Sequence, residues 1–349
     1  MKIIHGMSEV AGQGINTVRG LRANGYDAVM AVWQRNKMAG APDIDLGVNK
    51  ANKKMMPFYA LKMAVFTIGA LRKYDVVHAH YGYSLFPLCL DTFFFKLFGV
   101  SCFAEFHGSD VRFVYNTEIK YPYFRDLDFT DKTRRIARRR RDRLLKHVKG
   151  IIVHDHELLP HLPKTDKPVY IVPLRVDLEG IEPEYPDPAK KRAPVIVHSP
   201  SKRSTKGTEQ ILEKLKEVKG EYELILVENM AHEEAMEIYR KADIIIDQVA
   251  LGTYGVFSIE AMALGKPVIT YLSPEMKGCF PEELPIISAD FDNLPGVIDH
   301  LIDEPQLRHD IGVKGSKYAK RYHDNIKVAK YLYEIYDGTI TEKDIFRLL

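Results

Sequence analysis

Ser199-Pro200-Ser201-Lys202-Arg203-Ser204-Thr205-Lys206-Gly207 puts three cations into nine residues, after an apolar run and before a helical pattern. Lysine gives a point charge and arginine a planar fork, so Arg203 and Lys206 suit a diphosphate whose negative charge grows as it leaves. A solvated basic loop has the same composition. A second loop, Leu251 through Val268, runs Gly252-Thr253-Tyr254-Gly255-Val256-Phe257-Ser258-Ile259-Glu260 into a helix. Main-chain amides around Gly255, Val256 and Phe257 would point at an anion, and Glu260 can accept hydrogen bonds from two vicinal ribose hydroxyls. The plainer reading of Glu260 is a carboxylate that complements the helix dipole, an effect of about 0.3 to 1 kcal/mol. In Ala11-Gly12-Gln13-Gly14, Gly12 and Gly14 fit either a close approach of amides to an anion or a tight turn, since the run is not a full dinucleotide fingerprint. His107, in Phe106-His107-Gly108-Ser109-Asp110, stands where it can touch a ligand, although a lone histidine is as readily structural.

Other chemistry-bearing pairs carry less. Asp43 with Asp45, Asp126 with Asp128 and Asp290 with Asp292 form Asp-x-Asp pairs that are read as chance, Asp292-Asn293 resembling a helix cap. His78 with His80 and His154 with His156 alternate on strands, which turns each pair to one side, but no third ligand is identifiable and no metal is expected. Arg134, Arg135, Arg138, Arg139, Arg140, Arg141 and Arg143, with Lys146 and Lys149, cover more than one helical face. They face either anionic lipid headgroups, at about 1 kcal/mol per basic residue, or solvent, with Leu144, Leu145 and Val148 packed inward. No aromatic platform interleaves the arginines, so nucleic acid is not an expected partner.

Strand and helix patterns alternate around these loops. Strands are predicted at Lys2 to Ile4, Ala28 to Trp33, Asp75 to Ala79, Cys102 to Phe106, Gly150 to His154 and Val169 to Val172, with helices at Ile15 to Asn24, Tyr59 to Lys73, Phe86 to Phe98 and Lys132 to Lys149. Residues 173–194 lapse into Pro173, Pro183, Pro186, Pro188 and Pro194 with many charges, which suits a linker. A second series follows: strands Val195 to His198, Tyr222 to Val227, Asp243 to Asp247 and Val268 to Tyr271, helices Thr208 to Lys219, Glu233 to Lys241 and Ser258 to Leu264. A last helix is predicted over Asn325 to Tyr336. The α/β alternation implies two doubly wound Rossmann-like domains, whose ligands sit outside the carboxyl ends of parallel strands. The division is residues 1–172, a linker at 173–194, 195–324, and a C-terminal segment at 325–349.

A chain of 349 residues suits two domains. The balance of Lys+Arg 50 against Asp+Glu 47 leaves +3, too little for a general polyanion-binding field. Cys89, Cys102 and Cys279 are too few and too scattered for a disulfide framework, which points to a reducing, cytoplasmic compartment. The start Met-Lys-Ile-Ile-His-Gly lacks a signal peptide's apolar region, and Lys62 and Lys96 interrupt the most apolar stretches, so no targeting or spanning segment is expected.

The order of glycine loop, Asp75-Val76-Val77-His78-Ala79-His80, His107-Gly108-Ser109-Asp110, Lys206-Gly207, and Tyr254-Gly255 through Glu260-Ala261-Met262-Ala263 to Gly265-Lys266-Pro267-Val268 resembles the retaining, nucleotide-sugar-dependent glycosyltransferases of family 4 over nearly the whole chain. The resemblance implies the GT-B fold, two Rossmann-like domains facing each other across a cleft, with the C-terminal helix crossing back to the first. It implies that Lys206 and Arg203 bind the donor diphosphate, Glu260 the ribose, and Gly255, Val256 and Phe257 the phosphate or sugar. His107 would contact the transferred sugar, Gly12 and Gly14 would close on the diphosphate, and Asp110 would orient the acceptor hydroxyl. It implies no cofactor and no metal, and an acceptor that is a sugar, a lipid-linked sugar or a glycan, as in polysaccharide or glycolipid synthesis. A peripheral position at the inner face of a membrane, through the Arg134 to Lys149 helix, would fit. Two departures stand out: Gly252 replaces a glutamate expected eight positions before Glu260, and Ser201 stands where the family's arginine is common, with Arg203 close by. The alternatives are a sugar-nucleotide epimerase and a partner subunit that kept the fold without the chemistry.

Overall fold

The computed structural model describes the chain except residues 36–39, 50, 113, 117–120, 122 and 124–129. It divides into two compact units. Of the described residues, the first holds 1–116, 130–177 and 325–349, and the second holds 178–324 together with Tyr121 and Tyr123.

The first unit comprises β1 (Lys2–Met7), α1 (Gln13–Ala23), β2 (Asp27–Val32), β3 (Ile44–Asp45), α2 (Met56–Lys73), β4 (Val76–His80), α3 (Phe95–Phe98), β5 (Ser101–Glu105), α4 (Asp131–Leu145), β6 (Gly150–Val153) and β7 (Val169–Ile171). Its strands form one parallel sheet in the order β3-β2-β1-β4-β5-β6-β7. β4 and β6 are buried throughout, the signature of a sheet covered on both faces. Register matters for the chemistry below: His5 on β1 lies beside His78 on β4, and His80 lies beside Glu105 on β5.

The second unit comprises β8 (Val195–His198), α5 (Arg203–Lys206), α6 (Thr208–Leu215), β9 (Glu223–Leu226), α7 (His232–Lys241), β10 (Ile244–Ile246), α8 (Val256–Ala263), β11 (Val268–Thr270), β12 (Ile287–Ser288), α9 (Leu294–Asp303) and α10 (Pro305–Tyr322). Its parallel sheet has the order β12-β11-β10-β8-β9. Residues 178–194 lie along this unit, with the Glu184 amide donating to the Leu264 carbonyl (2.9 Å).

The final helix, α11 (Asn325–Asp337), packs on α1 of the first unit. Val328, Ala329, Leu332 and Ile335 join Val18, Leu21 and Ile3 in its core. The contact is close: a Cβ on Gly20 would stand 2.2 Å from the Asn325 carbonyl oxygen.

Two expected helices are cut short. The run from Phe86 becomes a 3-10 stretch, Pro87–Phe94, because Leu88 and Cys89 take φ of 59° and 55° while Asp91 draws the preceding loop in by accepting from Ser84 and the Leu85 amide. The arginine helix stops at Leu145 rather than Lys149, because Val148 turns inward and the Lys149 amide donates to the Cys102 carbonyl (2.7 Å), already at the sheet.

Candidate active site

In the second unit the strand order reverses between β8 and β10, and ligands of open parallel sheets sit at such a point, beyond the strands' carboxyl ends. α5 follows β8 there and carries Lys206, a buried lysine. Its ammonium donates to Asp247 Oδ1 (2.5 Å) and Gln248 Oε1 (3.2 Å), both just past β10. Asp247 Oδ2 accepts from Ser258 Oγ (2.6 Å), on the first turn of α8, so one buried carboxylate ties the cation to the helix start. Gly255 precedes that helix, and its absent Cβ would stand 3.9 Å from both Asp247 Oδ2 and Lys206 Nζ. Lysine and the first-turn amides of α8, which have no intrahelical acceptors, therefore converge on one spot, the arrangement an anion needs.

Glu260 lies one turn into α8. Burial and the nearby Asp247 charge push its carboxyl up to about 8, against the opposing pull of Lys206. His232 Nε2 approaches its Oε1 at 3.6 Å. Phe257 packs on Tyr239 (ring centroids 4.7 Å apart), and the Tyr239 hydroxyl bonds the Ser199 hydroxyl at 2.7 Å. Arg203 is turned elsewhere: it donates to Glu209 (2.7 Å) and Glu228 (2.8 Å), so its fork is held by two carboxylates rather than grouped with Lys206.

In the first unit the strand ends carry an unexpected concentration of imidazoles. His5, His78 and His80 are fully buried; His107 and His154 follow β5 and β6. His80 joins His5 through Nε2 (3.0 Å) and His107 through Nδ1 (3.0 Å), and His107 Nδ1 meets His154 Nε2 (2.9 Å). Glu105 lies beneath them, bonded to His78 (2.7 Å) and Arg175. Burial lowers all five histidines, His5, His80 and His154 furthest, so the rings are neutral at neutral pH. Burial alone would raise Glu105, but Arg175 and His78 hold it well below the usual carboxylate range.

No family model matches the sequence, and no curated protein matches it; solved structures do match. Sucrose-phosphate synthase from Thermosynechococcus elongatus superposes with a TM-score of 0.71 at 15% identity, over 97% of this chain and 99% of that one. HepE from Anabaena, in complex with UDP-glucose, gives 0.65 at 12% identity over 97% and 100%, and a glycosyltransferase from Rickettsia africae 0.64 at 16% over 96% and 97%. The chain has the GT-B fold.

Within the GT-B fold, each residue singled out in the sequence can now be placed. Lys206, Gly255, Val256, Phe257 and Glu260 come together around α8, and Arg203 stands on the same loop with its fork turned to acids. Gly252 has φ of +90°, and a Cβ there would press on Ser273 Cβ at 3.0 Å. The backbone itself disfavours the glutamate expected at that position. Gly12 has φ of +77° at the start of α1, whereas Gly14 is bare because a Cβ would meet Met30 Sδ at 2.7 Å and Glu9 Oε2 at 2.8 Å. The Ile15 amide of that helix start is met by Glu9 Oε2 (2.9 Å). Both ring nitrogens of His107 are engaged within the histidine group. Asp110 Oδ1 accepts the amides of His107 (3.0 Å) and Gly108 (2.9 Å), fixing their loop, while its Oδ2 is buried without a hydrogen-bond partner.

The discounted pairs resolve one by one. Asp43 pairs with Arg22 (2.9 Å) and Asp45 accepts the Gly47 amide (2.8 Å). Asp290 Oδ1 takes the amides of Asp292 and Asn293 (both 3.0 Å), closing the turn ahead of α9, whose N-cap Asn293 makes no side-chain cap bond. Asp126 and Asp128 lie outside the described residues. His154 and His156 part company, because β6 ends at Val153 and His156 turns to Asp344 (3.7 Å). His78 and His80 do share a side, and partners invisible to sequence spacing, His5, Glu105 and His107, surround them. Asp247, the partner of Lys206, was equally hidden, its only signal being an acid at the end of an apolar strand.

Proposed function

We propose that the chain is a retaining glycosyltransferase that moves a hexosyl group from a nucleotide-diphosphate donor to an acceptor hydroxyl, with protein groups rather than a metal neutralising the leaving diphosphate. The observation that carries this reading is the convergence of the buried Lys206 ammonium with the first turn of α8 at the switch point of the second sheet. As the bond to the diphosphate breaks, positive charge grows on the sugar and negative charge on the phosphate. A fixed ammonium and fixed amide dipoles stabilise that negative charge without reorganising, at several kcal/mol in comparable sites. Glu260 takes the ribose hydroxyls, and the UDP-glucose bound to HepE supports a nucleotide sugar as the donor. Asp110, which holds the His107 and Gly108 amides through its Oδ1, is the residue we assign to orienting the acceptor hydroxyl through that loop. Retention follows if the acceptor attacks the face that the leaving group vacates, and no enzymic nucleophile is assigned.

Calorimetry with UDP, GDP and ADP and their sugars tests the reading. One nucleotide should bind, and Glu260→Ala should weaken it at least tenfold; no binding by any of them refutes the donor site. Conversion of a nucleotide sugar without acceptor would favour an epimerase, and binding without transfer across an acceptor panel would favour a non-catalytic subunit.

We further infer that the acceptor is membrane-borne and that the first unit rests on an anionic bilayer surface. Phe58, Leu61, Val65 and Ile68 form an exposed stripe at helical spacing along α2, and Phe93, Phe94 and Leu97 are exposed on the adjacent 3-10 turn and α3. That turn packs on α4, which exposes Lys132, Arg135, Arg138 and Arg139, whereas Arg141 is buried and Arg140 lies over the Tyr83 ring at 3.6 Å. An apolar ridge beside surface cations is the chemistry of a peripheral membrane contact. Among the described residues no helix is long and apolar enough to cross a membrane. Sedimentation with phosphatidylglycerol vesicles should carry the protein down, phosphatidylcholine vesicles should not, and Leu61→Ser with Leu97→Ser should abolish the effect; equal recovery with both lipids refutes it.

A further inference from the structure

The histidine group of the first unit is more than a packed core. Five imidazoles and one carboxylate crowd the ends of β1, β4, β5 and β6, and nothing in the glycosyl-transfer reading requires that density. We propose that His80, Glu105 and His107 form a binding site for one divalent transition-metal ion of the zinc class.

The donor spacing fits. His80 Nδ1 lies 3.0 Å from His107 Nε2 and 3.4 Å from Glu105 Oε2, and the three donor atoms all fall within 4.8 Å of one another. A tetrahedral ion with ligand bonds of about 2.0–2.2 Å holds its donors roughly 3.3–3.6 Å apart, close to the two separations from His80. Three protein ligands leave a coordination position free, and His107 is the half-buried member of the set.

Each ligand also has an outer partner, the feature that orients metal-binding histidines. His80 Nε2 faces His5 Nδ1 at 3.0 Å, His107 Nδ1 faces His154 Nε2 at 2.9 Å, and Glu105 is held by Arg175 and by His78 at 2.7 Å. Proton counting favours an ion over a bare relay. Glu105 beside Arg175 is an acceptor, so His78 must place its proton on Nε2 and take one from Tyr336 on Nδ1 (2.5 Å). The Tyr336 oxygen then accepts from His5 Nε2 (3.3 Å), His5 Nδ1 accepts from His80 Nε2, and His80 Nδ1 is left a bare lone pair. If a proton fills the gap to His107, it sits on His107 Nε2. His107 Nδ1 must then accept from His154 Nε2, which leaves the bare His154 Nδ1 facing Glu105 Oε1 at 3.5 Å, lone pair against carboxylate. That Nδ1 is one of the buried atoms with no hydrogen-bond partner. An ion in the gap reverses the last two rings: His107 Nδ1 donates, and the His154 proton moves to Nδ1, towards Glu105.

The chemistry of the donors selects the ion. Arg175 already balances Glu105, so the site lacks the several carboxylate oxygens that calcium or magnesium require, whereas neutral imidazoles suit zinc, cobalt, nickel or copper.

The test uses the full, untagged chain after stripping with a chelator, and no nucleotide, so its outcome is independent of the donor reading. Titration with Co2+ should raise visible d–d bands that saturate at one equivalent and vanish on adding Zn2+, and Zn2+ should raise the melting temperature. His107→Ala should lose the bands, His154→Ala should weaken Co2+ about 10- to 100-fold as an outer-partner loss does, and His300→Ala, exposed on α9, should keep them. Wild-type protein with neither bands nor a Zn2+-dependent melting shift, or bands that survive in His107→Ala, would overturn the site and leave the histidines a hydrogen-bonded relay.

Discussion

Glu260→Gln tests the electrostatics of the second-unit site through stability alone. Burial and Asp247 raise the Glu260 carboxyl from its ordinary 4.5 to about 8. Between those values the unfolded chain has released the proton while the folded chain keeps it, so the folded state holds one more proton and stability falls as pH rises. The contribution is fully present below pH 4.5 and is lost as pH climbs through about 8. At 1.36 kcal/mol per pH unit, the interval from 4.5 to about 8 amounts to about 5 kcal/mol as a ceiling. Glutamine keeps the shape and cannot ionise, so the variant should match wild type near pH 5 and gain steadily above it. For a unit of this size about 5 kcal/mol corresponds to roughly 10–20 °C in melting temperature. Differential scanning calorimetry of both proteins from pH 5 to 9 measures the gap. A difference that stays constant across the range would show that Glu260 is ionised in the folded state and that the desolvated setting inferred for it is wrong.

Other substitutions probe single contacts. Gly252→Glu, which restores the family's carboxylate, should destabilise by about 1–3 kcal/mol because the residue holds φ of +90° against Ser273; a variant as stable as wild type on thermal melting would refute the backbone explanation. Lys206→Ala leaves Asp247 buried and unpaired, so it should cost about 3–5 kcal/mol in denaturant unfolding, with Lys206→Ala/Asp247→Ala recovering part of that loss; equal costs would mean the pair is not coupled. Gly20→Ala drives a methyl into the Asn325 carbonyl and should lower stability by about 3 kcal/mol while hydrogen exchange in α11 rises; unchanged exchange would refute the tight α1 and α11 contact.

What the sequence disclosed follows from the range over which each signal acts. Most strands and helices of both sheets are legible because apolar runs and glycine stops are local, and β8 falls at Val195–His198 as read. α10 stayed hidden because Gly312 and Gly315 occupy its buried face where a larger residue would announce a core: a Cβ on Gly312 would come within 2.1 Å of the Gly265 carbonyl oxygen. β12, two residues long, is too short for alternation to show.

The candidate sites divide along the same line. Gly255 and Glu260 stand on one stretch of loop then helix, so spacing groups them, whereas Lys206 lies 49 positions earlier on another loop and joins them through the resemblance to family 4. The histidine group could not be grouped that way, since its members lie up to 149 positions apart in the sequence and meet only through strand register: β1 beside β4 brings His5 to His78, and β4 beside β5 brings His80 to Glu105. The His78-Ala79-His80 pair is visible in the sequence, but its spacing offers no third ligand. Parallel pairing sets Glu105 beside His80 from the next strand over, so a histidine pair on a central strand calls for a search of both neighbouring strands at the same register. Glu105 is the acid such a search returns, and its burial beside Arg175 fixes the polarity of every proton in the group.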